Sequence, residues 1–400
     1  MKKLSVLCIG MLALLAVTLP LMGQAPYAPK GFAHTNVVVA NVQSGNKPSG
    51  ILPVEFRAAY GFNQIANAGA GVTIAIVDAY EDPNITSDLA AYASYFHKGP
   101  CNLTVVNQAT IKGQGWDLEE SLDVEQACAL APQANIVLVE AASNSFTDLL
   151  TAVATATQSP YNASVVSMSW GGGEFSGEQG SDSYFCNITN SLGQPVTFVA
   201  ATGDGGHGVI YPSASPCVVA AGGTTLALAS STPLPNPLEL NYGKETAWNG
   251  SGGGVSGYES QPSWQNPACS EWSTTYRCVP DIASDANPGT GVPVYDTYSY
   301  NGWVQVGGTS VATPDWGAFF TLVNSERVAK GGTTLSQALQ DLYTLYYNSS
   351  TYATDFHDIT SGSNGSCGSQ CTAIAGYDLV TGIGTYQANN LYPAMVADPN

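Results

Sequence analysis

A single α/β domain, with a mostly parallel sheet and helices on both faces, is the fold class this sequence predicts. Three observations lead there. From Leu52 onward, short apolar runs of strand length alternate with helical runs, the pattern of strand–helix–strand units in a parallel sheet. Its 400 residues would suffice for two average domains, yet α/β chains of this length also form one. No internal repeat and no second transmembrane span breaks the alternation.

The elements follow in chain order. Met1-Lys2-Lys3 and the apolar run over 4–21 read as a secretory signal, with Gly23-Gln24-Ala25 as a small-residue cleavage site. Residues 1–25 are therefore assigned to a leader. Residues 26–50 are polar, rich in Pro, Gly and Asn, and expected to be extended. Strands are expected at 72–77, 135–140, 164–169 and 196–201, and helices at 87–96, 119–130 and 146–157. In such a sheet the chemistry collects at the carboxyl ends of the strands. Residues 229–302 carry Gly, Pro, Ser, Trp and Tyr with little periodicity, and are expected to form loops and hairpins beside a cleft. A further helix is expected over 316–324.

That last helix is entered through Gln305-Val306-Gly307-Gly308-Thr309-Ser310-Val311-Ala312-Thr313-Pro314. Glycines let the backbone turn sharply and approach a substrate closely. A serine at the head of a helix lies in the positive end of the helix field, which favours a developing negative charge. Alone, Gly-Thr-Ser is equally an ordinary turn with an N-cap. A nucleophilic serine also needs a base. None of the four histidines, His34, His97, His207 and His357, has a Gly-His-Gly-Thr context that would offer one.

Carboxylates stand out instead, in Gly115-Trp116-Asp117-Leu118-Glu119-Glu120-Ser121-Leu122-Asp123-Val124-Glu125. The apolar residues here suit a mostly buried helix, and Glu119 and Asp123, four apart, share one face of it. Like charges at that spacing repel, and shared burial raises the pKa of one of them. The plainer alternative is a solvated acidic stripe. A third acid, Asp204, ends an apolar strand in Thr202-Gly203-Asp204-Gly205-Gly206. Turn aspartates ordinarily bond their own backbone, but the same place lets a protonated carboxyl point into a cleft.

Together these segments resemble the sedolisin family of serine-carboxyl peptidases, acid-acting relatives of the subtilisin fold. Val72-Thr73-Ile74-Ala75-Ile76-Val77-Asp78-Ala79-Tyr80 is similar to that family's first core strand, and Ser167-Met168-Ser169-Trp170-Gly171 to its substrate-flanking strand. Leu130-Ala131-Pro132 also fits, and the resemblance spans roughly residues 51 to 395. It implies a subtilisin-like domain with Ser310 as nucleophile, Glu119 as general base, Asp123 as the partner of Glu119, and Asp204 as oxyanion-hole acid. Most of these relatives carry a large N-terminal prodomain. Here only about thirty residues separate the leader from the catalytic start, which leaves zymogen control open.

The residue types suit acid. A histidine of pKa ~6.5 is protonated and useless at about pH 4, whereas a glutamate of pKa ~4.3 still titrates there. An oxyanion-hole aspartate must be neutral to donate a hydrogen bond, which again calls for acid or a raised pKa.

A second constellation lies near the C-terminus, in Asp358-Ile359-Thr360-Ser361-Gly362 and Ala375-Gly376-Tyr377-Asp378-Leu379-Val380-Thr381-Gly382-Ile383-Gly384. Two aspartates and free carbonyls suit a hard cation, or mark only a glycine-rich surface loop. The resemblance implies one calcium ion here, held by the side chains of Asp358 and Asp378 and the carbonyls of Ile359, Ile374 and Gly376.

Composition narrows the class. The net charge is −19, from 11 Lys and Arg against 30 Asp and Glu. So few cations argue against nucleic acid and anionic membranes, and few ion pairs stand to be lost in acid. Of nine cysteines, Cys8 lies in the leader, and the remaining eight suggest disulfides in an exported chain. Cys269–Cys278 and Cys367–Cys371 are the expected local pairs; the connectivity of the rest stays open.

The reading is a secreted acid-acting endopeptidase of a calcium-bearing domain over 51–400, acting on proteins or peptides as a monomer, without nucleic acid or, after signal removal, membrane. Two alternatives remain: a neutral or alkaline peptidase with a histidine base, and a non-catalytic secreted binding protein on a peptidase scaffold.

Overall fold

A computed structural model describes residues 31–42, 47–97, 99–231 and 236–399; the expected leader lies outside them. Along the first half run β1 (His34–Thr35), β2 (Val38–Val42), α1 (Pro53–Tyr60), β3 (Thr73–Ala79), α2 (Ile85–Tyr95) and β4 (Asn102–Asn107). They are followed by α3 (Asp117–Leu130), β5 (Asn135–Ala141), α4 (Phe146–Thr157), β6 (Val165–Met168), β7 (Trp170–Gly173) and β8 (Thr197–Ala201). Next come β9 (Ile210–Tyr211), β10 (Val219–Leu228), β11 (Tyr242–Ala247), β12 (Gly254–Ser260), α5 (Asn266–Cys269) and β13 (Tyr276–Val279). Then β14 (Ile282–Asp285), β15 (Val292–Asp296) and β16 (Gly302–Gly307) lead into α6 (Thr309–Ala329).

Eight strands make the central sheet, in the order β11-β10-β8-β6-β3-β5-β4 with β14 also paired to β10. All these pairings are parallel except β10 with β11. The sheet is buried on both faces, as parallel sheets are, and β3 shows how. Its alternate residues Ile74 and Ile76 join a core cluster with Leu118 and Leu122 of α3 and Val311, Phe319 and Leu322 of α6. Ala75 and Val77 point the other way, into a cluster with Leu149, Leu150 and Val153 of α4. This period of two is what the unbroken run of small and β-branched residues encodes.

The strands and helices expected between residues 72 and 201 are present, each bound within two residues of expectation. Three differences carry physical content. Helix α6 starts at Thr309 rather than 316 and passes through Pro314. Proline cannot donate to the carbonyl four residues back, which belongs to Ser310; that oxygen instead meets the Ser169 hydroxyl at 3.4 Å. Second, residues 229–302 are not only loops, since β14 pairs with β10 from Ala221↔Ile282 to Thr224↔Asp285 and joins the central sheet. Third, the described part of the polar N-terminal segment is paired on both sides of a cleft, β1 with β7 and β2 with β16.

Four disulfides tie this core: Cys101–Cys128, Cys186–Cys217 and the two expected local pairs, Cys269–Cys278 and Cys367–Cys371. Among the described residues no helix is long and apolar enough to cross a membrane.

Candidate active site

Ser310 lies in the first turn of α6, one residue beyond the end of a strand–glycine–helix junction. Gly308 makes that junction with φ +103°, a conformation that L side chains rarely adopt. A Cβ there would also fall 2.6 Å from Asp204 Oδ2 and against the Asn36 carbonyl oxygen. The glycine thus leaves room for two groups that converge on Ser310. The Ser310 hydroxyl is fully buried and donates to the Ser169 carbonyl at 3.3 Å.

Helix α3 brings Glu119 and Asp123 to the same place. The solvated-stripe alternative fails, because all 14 residues of α3 are buried, five acids among them. Glu119 Oε2 accepts the Asn36 N–H at 3.1 Å, and Oε1 has no hydrogen-bond partner among the described residues. Burial pushes the Glu119 pKa up, the charge of Asp78 adds to this, and the nearby Ser310 hydroxyl opposes it. Asp123 Oδ1 accepts from the Ser169 hydroxyl at 2.9 Å, while Oδ2 has no hydrogen-bond partner among the described residues. Its pKa is raised by burial first, then by Asp78 and Glu119. Carboxyls this close in a dry site cannot all ionise.

Asp78, the acid in the first core strand, is a member of this group to which the sequence reading assigned no role. It is completely buried near the carboxyl end of β3, neither oxygen has a hydrogen-bond partner among the described residues, and burial and Glu140 raise its pKa. The available signal was an acid inside an otherwise apolar strand. Glu120 is likewise no solvated neighbour of the pair. It is buried among Asp78, Glu140 and Asp82, and its pKa is raised by burial first.

Asp204 follows β8 and approaches from the other side. Its Oδ1 accepts from both the backbone N–H and the hydroxyl of Thr309, each at 2.8 Å, and buried Oδ2 has no hydrogen-bond partner among the described residues. Burial pushes its pKa up to about 7 against those two bonds, so the carboxyl is neutral in acid. Asp78, Ser169 and Asp204 lie at or just beyond the carboxyl ends of β3, β6 and β8, and Glu119 and Ser310 lie in the first turns of α3 and α6, where ligands of parallel sheets bind. Among the described residues no histidine is hydrogen-bonded to Ser310, and His357 is instead stacked on Tyr242 at 3.6 Å.

One occupant of the site was not foreseen. Asn36, only 1% exposed, threads between β1 and β2 directly past Ser310. Its N–H reaches Ser169 O at 3.2 Å as well as Glu119, and its carbonyl accepts the Ser310 N–H at 3.2 Å.

Of the expected calcium ligands, Asp358 and Asp378 both bond backbone N–H groups of the segment 374–381. Asp378 is buried and accepts from the N–H groups of Ile374, Val380 and Thr381. Asp358 accepts the Gly376 N–H with both oxygens at 3.1 Å. Two carboxylates converging on one loop, raised in pKa by burial and without an ion-pair partner among the described residues, fit an oxygen-ligated cation.

A family model described as the subtilase family matches residues 110–345. Kumamolisin of Bacillus sp. (strain MN-32) is 32% identical over 367 residues, covering 84% of this chain and 62% of that protein. Sedolisin of Pseudomonas sp. (strain 101) is 29% identical over 370 residues, covering 83% and 59%. The chain therefore spans about three-fifths of the length of these relatives. A solved structure of Pseudomonas sedolisin, a serine-carboxyl proteinase complexed with two molecules of pseudo-iodotyrostatin, matches with a TM-score of 0.73 at 25% identity. That match covers 88% of this chain and 100% of the other.

Proposed function

The chain belongs to the subtilase family, and we propose that it is a serine-type peptidase, specifically a secreted, acid-acting serine-carboxyl endopeptidase. Ser310 is the nucleophile, Glu119 its general base, Asp123 the partner that shares a proton with Glu119, and Asp204 the oxyanion-hole acid. The observation that carries this reading is Asn36. Its backbone N–H meets Glu119 and its carbonyl meets the Ser310 N–H, so a peptide group fits between base and nucleophile.

In the proposed mechanism the Ser310 hydroxyl swings from the Ser169 carbonyl to the unpartnered Glu119 Oε1 as Oγ attacks the peptide carbonyl carbon. Glu119 takes the proton and returns it to the leaving amine. Asp123, held by the Ser169 hydroxyl, stays protonated while Glu119 carries the charge. The developing oxyanion receives hydrogen bonds from the Ser310 N–H and from protonated Asp204 Oδ2. Water then hydrolyses the acyl ester by the same route in reverse.

The cleft supports internal cleavage rather than removal of short N-terminal pieces. Beyond the third residue on the amino side of Asn36–Val37, the bound segment continues, with the Ala33 N–H on Asn144 O at 2.9 Å and Phe32 bridged to Ser145. A wall at that point is what an enzyme counting from a free amino terminus needs.

Glu119→Gln keeps size and removes the base, so peptide turnover is expected to fall by about 10²–10⁴ with the fold intact. Asp123→Asn is expected to be impaired as well, since the pair acts as a unit. Full turnover by Glu119→Gln in acid, measured on a peptide beside wild type, would assign the base elsewhere.

Calcium completes the reading as a structural ion, held by Asp358, Asp378 and the carbonyls of Ile359, Ile374 and Gly376; bound there, it would neutralise two crowded carboxylates. A ligand of the folded state alone stabilises it as concentration exceeds Kd. The melting temperature is expected to rise with calcium and fall with a chelator, and Asp378→Asn is expected to blunt that response. A melting curve indifferent to both would remove the site. Secretion is supported by residues 1–25 and by the four disulfides.

A further inference from the structure

A cavity of about 470 Å³ lies at the amino end of the central sheet, where Thr197 and Val219 begin β8 and β10. Asp204 follows the other end of β8, so the cavity is separated from Ser310 by the length of the strands and shares no residue with that site. Phe185, Ile188, Phe198 and Trp264 give it an apolar wall, and no lining residue carries a charged side chain.

One side of the cavity is polar in a specific way. It is formed by residues 336–340, which lead into α7 (Ala338–Tyr347). The first hydrogen bond of this helix runs from the Asp341 N–H to the Gln337 carbonyl at 2.9 Å, and the Gln337 side chain does not cap it. The N–H groups of Ala338, Leu339 and Gln340 therefore have no acceptor among the described residues. The Asp341 carboxyl, in the same turn, does not line the cavity. Open N–H groups at a helix start carry the positive end of the helix field and favour an anion. A second observation points the same way. Thr197 lines the cavity at 5% exposure, and its hydroxyl has no hydrogen-bond partner among the described residues. A buried hydroxyl left so costs stability until an acceptor reaches it.

We propose that this cavity binds a small monocarboxylic acid with an aromatic or branched aliphatic body. Its carboxylate accepts from the first turn of α7 and from the Thr197 hydroxyl, and its body lies against Phe185, Phe198 and Trp264. The lining narrows the class. A free amino acid would bring an ammonium group that no lining carboxylate receives. A phosphate would bring a second charge with no lining Lys or Arg to meet it. Hydrogen bonds to an ionised acceptor are the strong kind, and here they offset the cost of taking one carboxylate out of water.

The test titrates 4-phenylbutyrate into the purified protein by calorimetry at about pH 6.5, where a carboxylic acid is ionised. Beside it runs 4-phenylbutyramide, the same shape without the charge. The acid is expected to bind at one site per chain, more tightly than the amide by about tenfold or more. Thr197→Val keeps the shape and removes the hydroxyl, and is expected to weaken the acid by about tenfold. Ala338→Pro deletes one N–H at a helix position that tolerates proline, and is expected to weaken the acid more than the amide. Melting temperatures check that both variants are folded. Equal affinity of the wild-type protein for acid and amide would overturn the inference, and that comparison needs no variant. So would an absence of binding at millimolar acid. An affinity for the acid unchanged in both folded variants would place it elsewhere, the active-site cleft included, and would overturn the inference too. None of these outcomes reads peptide hydrolysis, so the peptidase reading stands or falls separately.

Discussion

Replacing Ser310 with alanine is expected to remove peptide hydrolysis, by on the order of 10⁶-fold, while the protein stays folded. The substitution deletes one small oxygen whose hydrogen bond to Ser169 O is long, at 3.3 Å. Alanine suits the first turn of a helix, and the glycine junction before it is untouched. Little stability should change, so activity and melting temperature separate cleanly. Residual hydrolysis at a tenth of the wild-type rate would mean that another group attacks the carbonyl.

Asp204 carries the second large effect. Asp204→Ala is expected to lower turnover by about 10²–10³, the loss typical of one oxyanion-hole donor. The sign of its pH dependence follows from burial, which pushes its pKa up to about 7. Below that value the carboxyl is neutral and donates; above it the carboxylate has nothing to donate and repels the oxyanion. Asp204→Asn keeps a donor that does not ionise. It is expected to lose less than Asp204→Ala and to shift the alkaline fall in rate upward. An asparagine variant whose alkaline limb coincides with wild type would separate Asp204 from the pH limit.

Much of this was legible because local pattern and tertiary placement agree. Residues 72–77 read as a strand and 146–157 as a helix, since their apolar periods match the faces they bury. Glu119 and Asp123 share a helix face by spacing alone, and Ser310 follows a glycine turn whose geometry few other residues permit. What stayed hidden depends on distant partners. Asn36 comes from a polar segment without periodicity, and its contacts, Glu119, Ser169 and Ser310, all lie more than eighty residues away. Asp78 reads as part of a strand, and only the approach of Glu140 and α3 makes it one of a carboxyl group. Strand β14 hides among loops because its pairing with β10 is set by sheet order. Cys269–Cys278 and Cys367–Cys371 are close in sequence, whereas Cys101–Cys128 and Cys186–Cys217, separated by 27 and 31 residues, are joined only by the fold.

The central claim is that carboxyl groups, rather than a histidine, run a serine nucleophile in acid. The pH–rate profile of wild-type peptide hydrolysis, with Ser310→Ala as the blank at every pH, tests it most directly. Asp204, which must be protonated to donate and whose pKa burial raises to about 7, predicts a maximum in acid and a rate that falls away as pH rises through about 7. A rate that climbs through neutrality to an alkaline maximum would contradict the account.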